Sequence, residues 1–226
     1  MKKTLLLIFY LAIKVSFAQT LTGPVIDEAS KKGIPNVAVS DQATVVVTDA
    51  NGNYQITLTP GRSFIMLSLP DGFKGVHYKK AEGNKIDFAL KKEPAKTEFT
   101  FIHASDTHIS EKSADRTVKL RNLTAQLKPD FVLICGDLVR DALRVPEEEA
   151  KGYYQLYVDN ISKFTTPVWS VPGNHEIFGI ERHLSLVSPK NPLYGKKMYN
   201  HYLGPNYYSF NYGGIHFIGL DDIDFE

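Results

Sequence analysis

The stretch FVLICGD, residues 131–137, runs five apolar residues into a glycine and an aspartate. A short apolar run of this length, bounded by turn residues, reads as a strand buried on both faces. The pattern occurs twice more. Phe99 to Ala104 runs into Ser105-Asp106-Thr107-His108, and Val168-Trp169-Ser170-Val171 runs into Gly173-Asn174-His175-Glu176. Between the strands the apolar spacing turns helical. Leu120, Leu123 and Leu127 share one helix face that ends before Pro129, and Tyr154, Tyr157, Val158 and Ile161 share another. Pro146 followed by Glu147, Glu148 and Glu149 is a favourable helix start, with proline in the first turn and anions at the positive end of the dipole. Strand–helix alternation predicts a largely parallel sheet. Tyr207 to Tyr212 and Ile215 to Leu220, joined by Gly213-Gly214, read as a hairpin added to it.

Open α/β sheets bind ligands at the carboxyl ends of their strands. Three neighbouring strands would therefore bring Asp106, His108, Asp137, Asn174 and His175 to one place. Asp106 and His108, two residues apart, point the same way from an extended segment. Glycine before Asp137 and before Asn174 allows a sharp turn and a close backbone approach. Imidazole with oxygen donors suits Mn, Fe or Zn better than calcium. An aspartate at the middle strand end is placed to bridge two such ions, about 3.5–4 Å apart in phosphoryl-transfer centres.

In that order and setting, Asp106-x-His108, Gly136-Asp137 and Gly173-Asn174-His175-Glu176 resemble the calcineurin-like metallophosphoesterases. The resemblance implies an α/β fold of four layers, αββα, over residues 98–226, and phosphoester hydrolysis by a metal-bound hydroxide. It implies that Asp106 and His108 bind one metal, Asp137 bridges, Asn174 binds a second, and His175 acts beside the leaving-group oxygen. The purple acid phosphatases of that superfamily carry a tyrosine where this chain has Arg140, so their iron-tyrosinate site is not implied. The superfamily's later ligands, an isolated His and a Gly-His-x-His segment, have no counterpart in His183, His201 or His216. The phosphoesterase domain is therefore expected to be C-terminally incomplete, and the chain alone to hold at most one ion tightly.

Residues 19–92 read differently. Val37–Val39, Val45–Val47, Tyr54–Leu58 and Phe64–Leu67 are short strands separated by Asp49-Ala50-Asn51-Gly52, Pro60-Gly61 and Pro70-Asp71-Gly72, with Asn51-Gly52 read as a hairpin turn. This spacing predicts a small all-β sandwich. The run from Leu21-Thr22-Gly23 to Gly52-Asn53-Tyr54 resembles carboxypeptidase-regulatory-like domains, which implies a positioning role without chemistry. Residues 93–97 form a polar linker. Residues 1–18 combine Lys2 and Lys3, an apolar core from Leu5 to Ile13, and Ser16-Phe17-Ala18, the pattern of a cleavable signal peptide. Export to the periplasm or the medium is expected, with no membrane span after cleavage.

The apolar fraction of 43% and the charged fraction of 23% are those of a globular chain. The net charge of +1 falls to 1 − 3 = −2 without Lys2, Lys3 and Lys14, which leaves no electrostatic footprint for nucleic acid. Cys135, the single cysteine, reads as a small core hydrophobe. His103 and His216 read as packed structural residues, and Tyr199–Pro205 as an aromatic loop. The expected function is phosphatase or phosphodiesterase chemistry on a phosphoester whose identity is open, as is the oligomeric state. The alternative is a non-catalytic exported binding module.

Overall fold

The computed structural model describes residues 19–224. The signal-peptide reading of residues 1–18 lies outside them. No helix among the described residues is long and apolar enough to cross a membrane.

The N-terminal module holds β1 (Thr20–Asp27), β2 (Ala38–Ser40), β3 (Val45–Val47), β4 (Asn53–Thr57), β5 (Phe64–Leu67), β6 (Phe73–Lys74), β7 (Tyr78–Lys80) and β8 (Phe88–Lys92). They form two four-stranded sheets, ordered β4-β1-β8-β6 and β3-β2-β5-β7. Leu21, Val25, Ile56, Phe88 and Leu90 of the first sheet and Val39, Ile65 and Leu67 of the second share one buried cluster. Strand β1 carries Gly23-Pro24, turn chemistry by type, yet it is continuous. Its first half pairs antiparallel with β4 and its second half parallel with β8. Gly23 is needed because a Cβ there would meet the Ile86 carbonyl. The Asn51-Gly52 turn forms, with Asp49 accepting N–H groups from Asn51 and Asn53 at 2.8 Å each. It is not a hairpin turn, because β3 and β4 lie in different sheets and the turn carries the chain between them.

The second part contains β9 (Phe101–Ser105), α1 (Ala114–Leu127), β10 (Phe131–Cys135), α2 (Glu147–Ile161), β11 (Val168–Val171), a 3-10 turn (Asn174–Glu176), α3 (Arg182–Ser185), α4 (Lys196–Leu203), β12 (Tyr208–Tyr212) and β13 (Ile215–Gly219). The three expected strands form a parallel sheet, β11-β10-β9, with Ile134 level with Ala104 and Ser170. Val132 and Ile134 face the helices, where Tyr154, Tyr157 and Tyr199 are buried. Phe131, Leu133 and Trp169 face the β12–β13 hairpin. Gly213 (φ 59°) and Gly214 (φ 78°) close that hairpin in the left-handed region its tight turn requires.

Helix α1 is present and ends before Pro129, but its buried face is not the leucine stripe. Thr117 and Thr124 are buried, whereas Leu123 and Leu127 are exposed. Thr124 satisfies its hydroxyl on the Leu120 carbonyl at 2.8 Å, which makes it compatible with burial. Three local readings are corrected, the packing of His103 and of His216 and the loop at Tyr199–Pro205. His103 is exposed, because β9 is an edge strand. The segment read as an aromatic loop is helical through Leu203, as α4. Cys135 is partly buried and free, its thiol pushed up by burial. His216 is exposed and pairs with Asn211 Oδ1 at 2.8 Å.

The two parts share a core. Cluster residues of the N-terminal sheets, Phe131 of β10 and Phe210 of β12 belong to one buried group. Asn211 donates both its main-chain N–H (2.8 Å) and its side-chain amide (3.1 Å) to the Leu69 carbonyl, and the Asp71 carboxylate accepts N–H groups from Gly213 and Gly214. His77 lies at this junction, its ring 4.6 Å from that of Trp169 and 5.9 Å from that of Tyr208. Burial lowers its pKa to about 4. The folded value lies below the ordinary 6.5, so this contribution is complete above about pH 6.5 and is lost as pH falls toward 4. At about 1.4 kcal/mol per pH unit, up to about 3 kcal/mol is at stake. Expected is a fall in unfolding midpoint over that window, read by the fluorescence of Trp169, the single tryptophan. The stability advantage of wild type over His77→Gln should shrink as pH falls from about 6.5 toward 4; a pH-independent difference would contradict the neutral ring.

Candidate metal centre

The three strand ends are zipped together before any side chain is considered. Asp106 N–H donates to the Gly136 carbonyl (3.1 Å), His108 N–H to that of Asp137 (2.9 Å), and Gly136 N–H to that of Val171 (3.1 Å). Asp106 and His108 do not lie on an extended segment: they and Asp137 have φ of 56°, 38° and 51°, a left-handed conformation that costs a side-chain-bearing residue about 1 kcal/mol or more. Gly173 sits so close that a Cβ would run into the Asp137 carboxylate and main chain, so only glycine permits this approach.

Within this frame His108, Asp137 and His175 each offer a ligand atom within 4.8 Å of the other two. Asp137 Oδ2 lies 3.5 Å from His108 Nε2 and 4.0 Å from His175 Nε2, and the two rings stand perpendicular with centroids 4.5 Å apart. The ring faces are fixed from behind by Arg140. Its carbonyl is 2.6 Å from His175 Nδ1 and 3.5 Å from His108 Nδ1. A carbonyl only accepts, so His175 Nδ1 carries the proton and Nε2 turns toward Asp137. Asp106 lies at the rim, exposed, with Oδ1 3.7 Å from His108 Nε2. Asn174 opens the 3-10 turn and is exposed. The structure thus gathers His108, Asp137 and His175 most tightly, with Asp106 and Asn174 beside them. Among the other histidines, His183 lies beside Glu181 and His201 is exposed on α4.

The donor set passes a chemical test for a metal of the Mn, Fe or Zn kind: His108 Nε2 lies 3.5 Å from an Asp137 oxygen and 3.7 Å from an Asp106 oxygen, so imidazole and carboxylate donors converge. Sequence reasoning assigned no role to two participants. Arg140 contributes through its carbonyl, which every residue possesses. Glu176 is fully buried, accepting N–H groups from Val139 at 2.9 Å and Gly173 at 2.6 Å. Burial pushes its carboxyl up to about 7 against the pull of those two donors. The one available signal was a glutamate directly preceding the apolar pair Ile177-Phe178.

A parallel sheet with His and Asp gathered at its carboxyl end defines a class of hydrolytic metal site. A family model for calcineurin-like phosphoesterase matches residues 99–226, and one for the N-terminal region of calcineurin-like phosphoesterase matches residues 19–103. The chain belongs to the calcineurin-like phosphoesterase family, hydrolases of phosphoester bonds. No curated protein matches it significantly.

Proposed function

We propose that the chain hydrolyses phosphoesters at a dinuclear centre in which Asp106 and His108 hold one ion, Asp137 bridges, Asn174 holds the second, and His175 serves the leaving group. The observation that carries this reading is the convergence of His108, Asp137 and His175 at the ends of three parallel strands. Ions of the Mn, Fe or Zn type supply, when bound, activation of water and neutralisation of charge on the phosphoryl oxygens. The residues supply placement. Asp137 directs one oxygen at both imidazoles and accepts His175 N–H on the other at 3.3 Å. The Arg140 carbonyl holds the His175 ring so that Nε2, when protonated, faces the site and delivers its proton to the departing alkoxide. Residues 19–92 are read as a carboxypeptidase-regulatory-like sandwich that braces the phosphoesterase part, and residues 1–18 as the export signal.

His175→Asn tests the acid role. On a phosphoester with a poor leaving group, turnover should fall by about 10²–10⁴-fold, the range of general acid catalysis. On one with a good leaving group it should fall far less, with metal content unchanged. Equal losses on both substrates together with loss of metal would make His175 a ligand.

A further inference from the structure

We propose that Glu176 is a positioning residue for the metal centre: its carboxylate clamps the loop carrying Asp137 to the loop carrying His175 and thereby sets affinity for the ion. The inference rests on the reading of that cluster as a metal site. Each oxygen grips one loop. Oε1 accepts from Val139 N–H, two residues after Asp137, and Oε2 from Gly173 N–H, two residues before His175. These bonds, at 2.9 and 2.6 Å, are shorter than the direct link from His175 N–H to Asp137 Oδ1 at 3.3 Å. Glu176 is itself held, since Tyr154 of α2 donates its hydroxyl to the Glu176 carbonyl at 2.7 Å.

A carboxylate is a costly group to bury, and nothing smaller spans both donors. Asp137 sits in a left-handed conformation it would not choose alone, and Gly173 lies against it at a separation that tolerates no side chain. The clamp opposes the relaxation of both. With it, the Asp137 carboxylate stays between two imidazoles; without it, the main-chain bonds from Gly136 to Val171 (3.1 Å) and from Ala142 to His175 (2.8 Å) still join the loops, but the Asp137 carboxylate keeps only the 3.3 Å bond to His175 N–H as its own tie across them. Partners of this outer kind are worth about 10–100-fold in metal affinity.

The test uses the full chain with Glu176→Gln and Glu176→Asp. The glutamine keeps one acceptor but turns an amide N–H at the second donor, and the aspartate is one methylene short of spanning both. Tyr199→Phe is the matched control, losing a buried hydroxyl bond to the Ser170 carbonyl (2.8 Å) while leaving both bonds to the Glu176 carboxylate in place. Mn²⁺ titration well below the melting temperature should show affinity weakened about 10–100-fold in both Glu176 variants and unchanged in the control. Nitrogen NMR of the metal-free protein should show His175 fixed as the Nδ1–H tautomer in wild type and mixed in the variants. If the variants melt earlier but keep wild-type affinity and tautomer, Glu176 is structural only and the proposal is overturned. If wild type takes up no Mn²⁺, the metal reading fails; the tautomer then decides the clamp on its own, supporting it if mixed in the variants and overturning it if fixed.

Discussion

Asp137→Asn is expected to reduce phosphoester turnover by roughly 10³-fold and to strip bound metal, while the fold survives. The substitution removes the one negative charge that lies between His108 and His175. A bound ion contributes several kcal/mol to the transition state, and each 1.36 kcal/mol is tenfold in rate. The fold should survive because Asn, like Asp, tolerates the φ of 51° found there and keeps an oxygen for the His175 N–H. Asp137→Ala lacks both advantages and should melt earlier than Asp137→Asn. Elemental analysis beside thermal unfolding separates the effects. Unchanged metal content in Asp137→Asn would remove this residue from the centre.

Phe131→Ala is expected to cost about 3–5 kcal/mol, the usual range for truncating a buried aromatic. Phe131 is 1% exposed and its ring lies 5.2 Å from those of Phe101 and Phe217, 5.3 Å from Tyr212 and 5.4 Å from Phe210. The cavity opens in a cluster that also includes Leu67 and Leu69 of the N-terminal module. Both parts should therefore melt together and earlier. Trp169 fluorescence follows the junction and far-ultraviolet circular dichroism follows all strands. If the phosphoesterase part alone shifted and the N-terminal sheets kept their midpoint, the shared core would be refuted.

The parallel sheet was legible because Phe131–Cys135 has no polar residue to allow another placement, and Gly136-Asp137 marks its end. The hairpin at Gly213-Gly214 was legible for a similar local reason, two residues free to take positive φ. What escaped depended on partners distant in sequence. The strand over Thr20–Asp27 was not read from sequence, and only the approach of the Ile86 carbonyl explains the glycine inside it. Asn51-Gly52 specifies a turn, but nothing local tells whether the next strand returns to the same sheet. In α1 the leucine stripe misled because the helix buries Thr117 and Thr124, whose side chains are small enough for close packing. At the site, residue types named His108, Asp137 and His175 as partners. The Arg140 carbonyl and the Glu176 clamp are properties of the assembled loops, invisible in side-chain chemistry alone.

The bonds from Asn211 to Leu69 span 142 residues. Closing so long a loop adds little to the equilibrium cost, about 0.6 kcal/mol per doubling of length, but it slows folding. On the ribosome the N-terminal sheets emerge well before β12, so Leu69 and its apolar neighbours wait uncovered while most of the phosphoesterase part is still being made. Partly made chains of this kind are prone to aggregate. The hairpin thus acts as a late cover for this face of the N-terminal sheets. Substitutions in β12 should reduce the yield of soluble protein more than their effect on the finished protein's melting temperature would suggest.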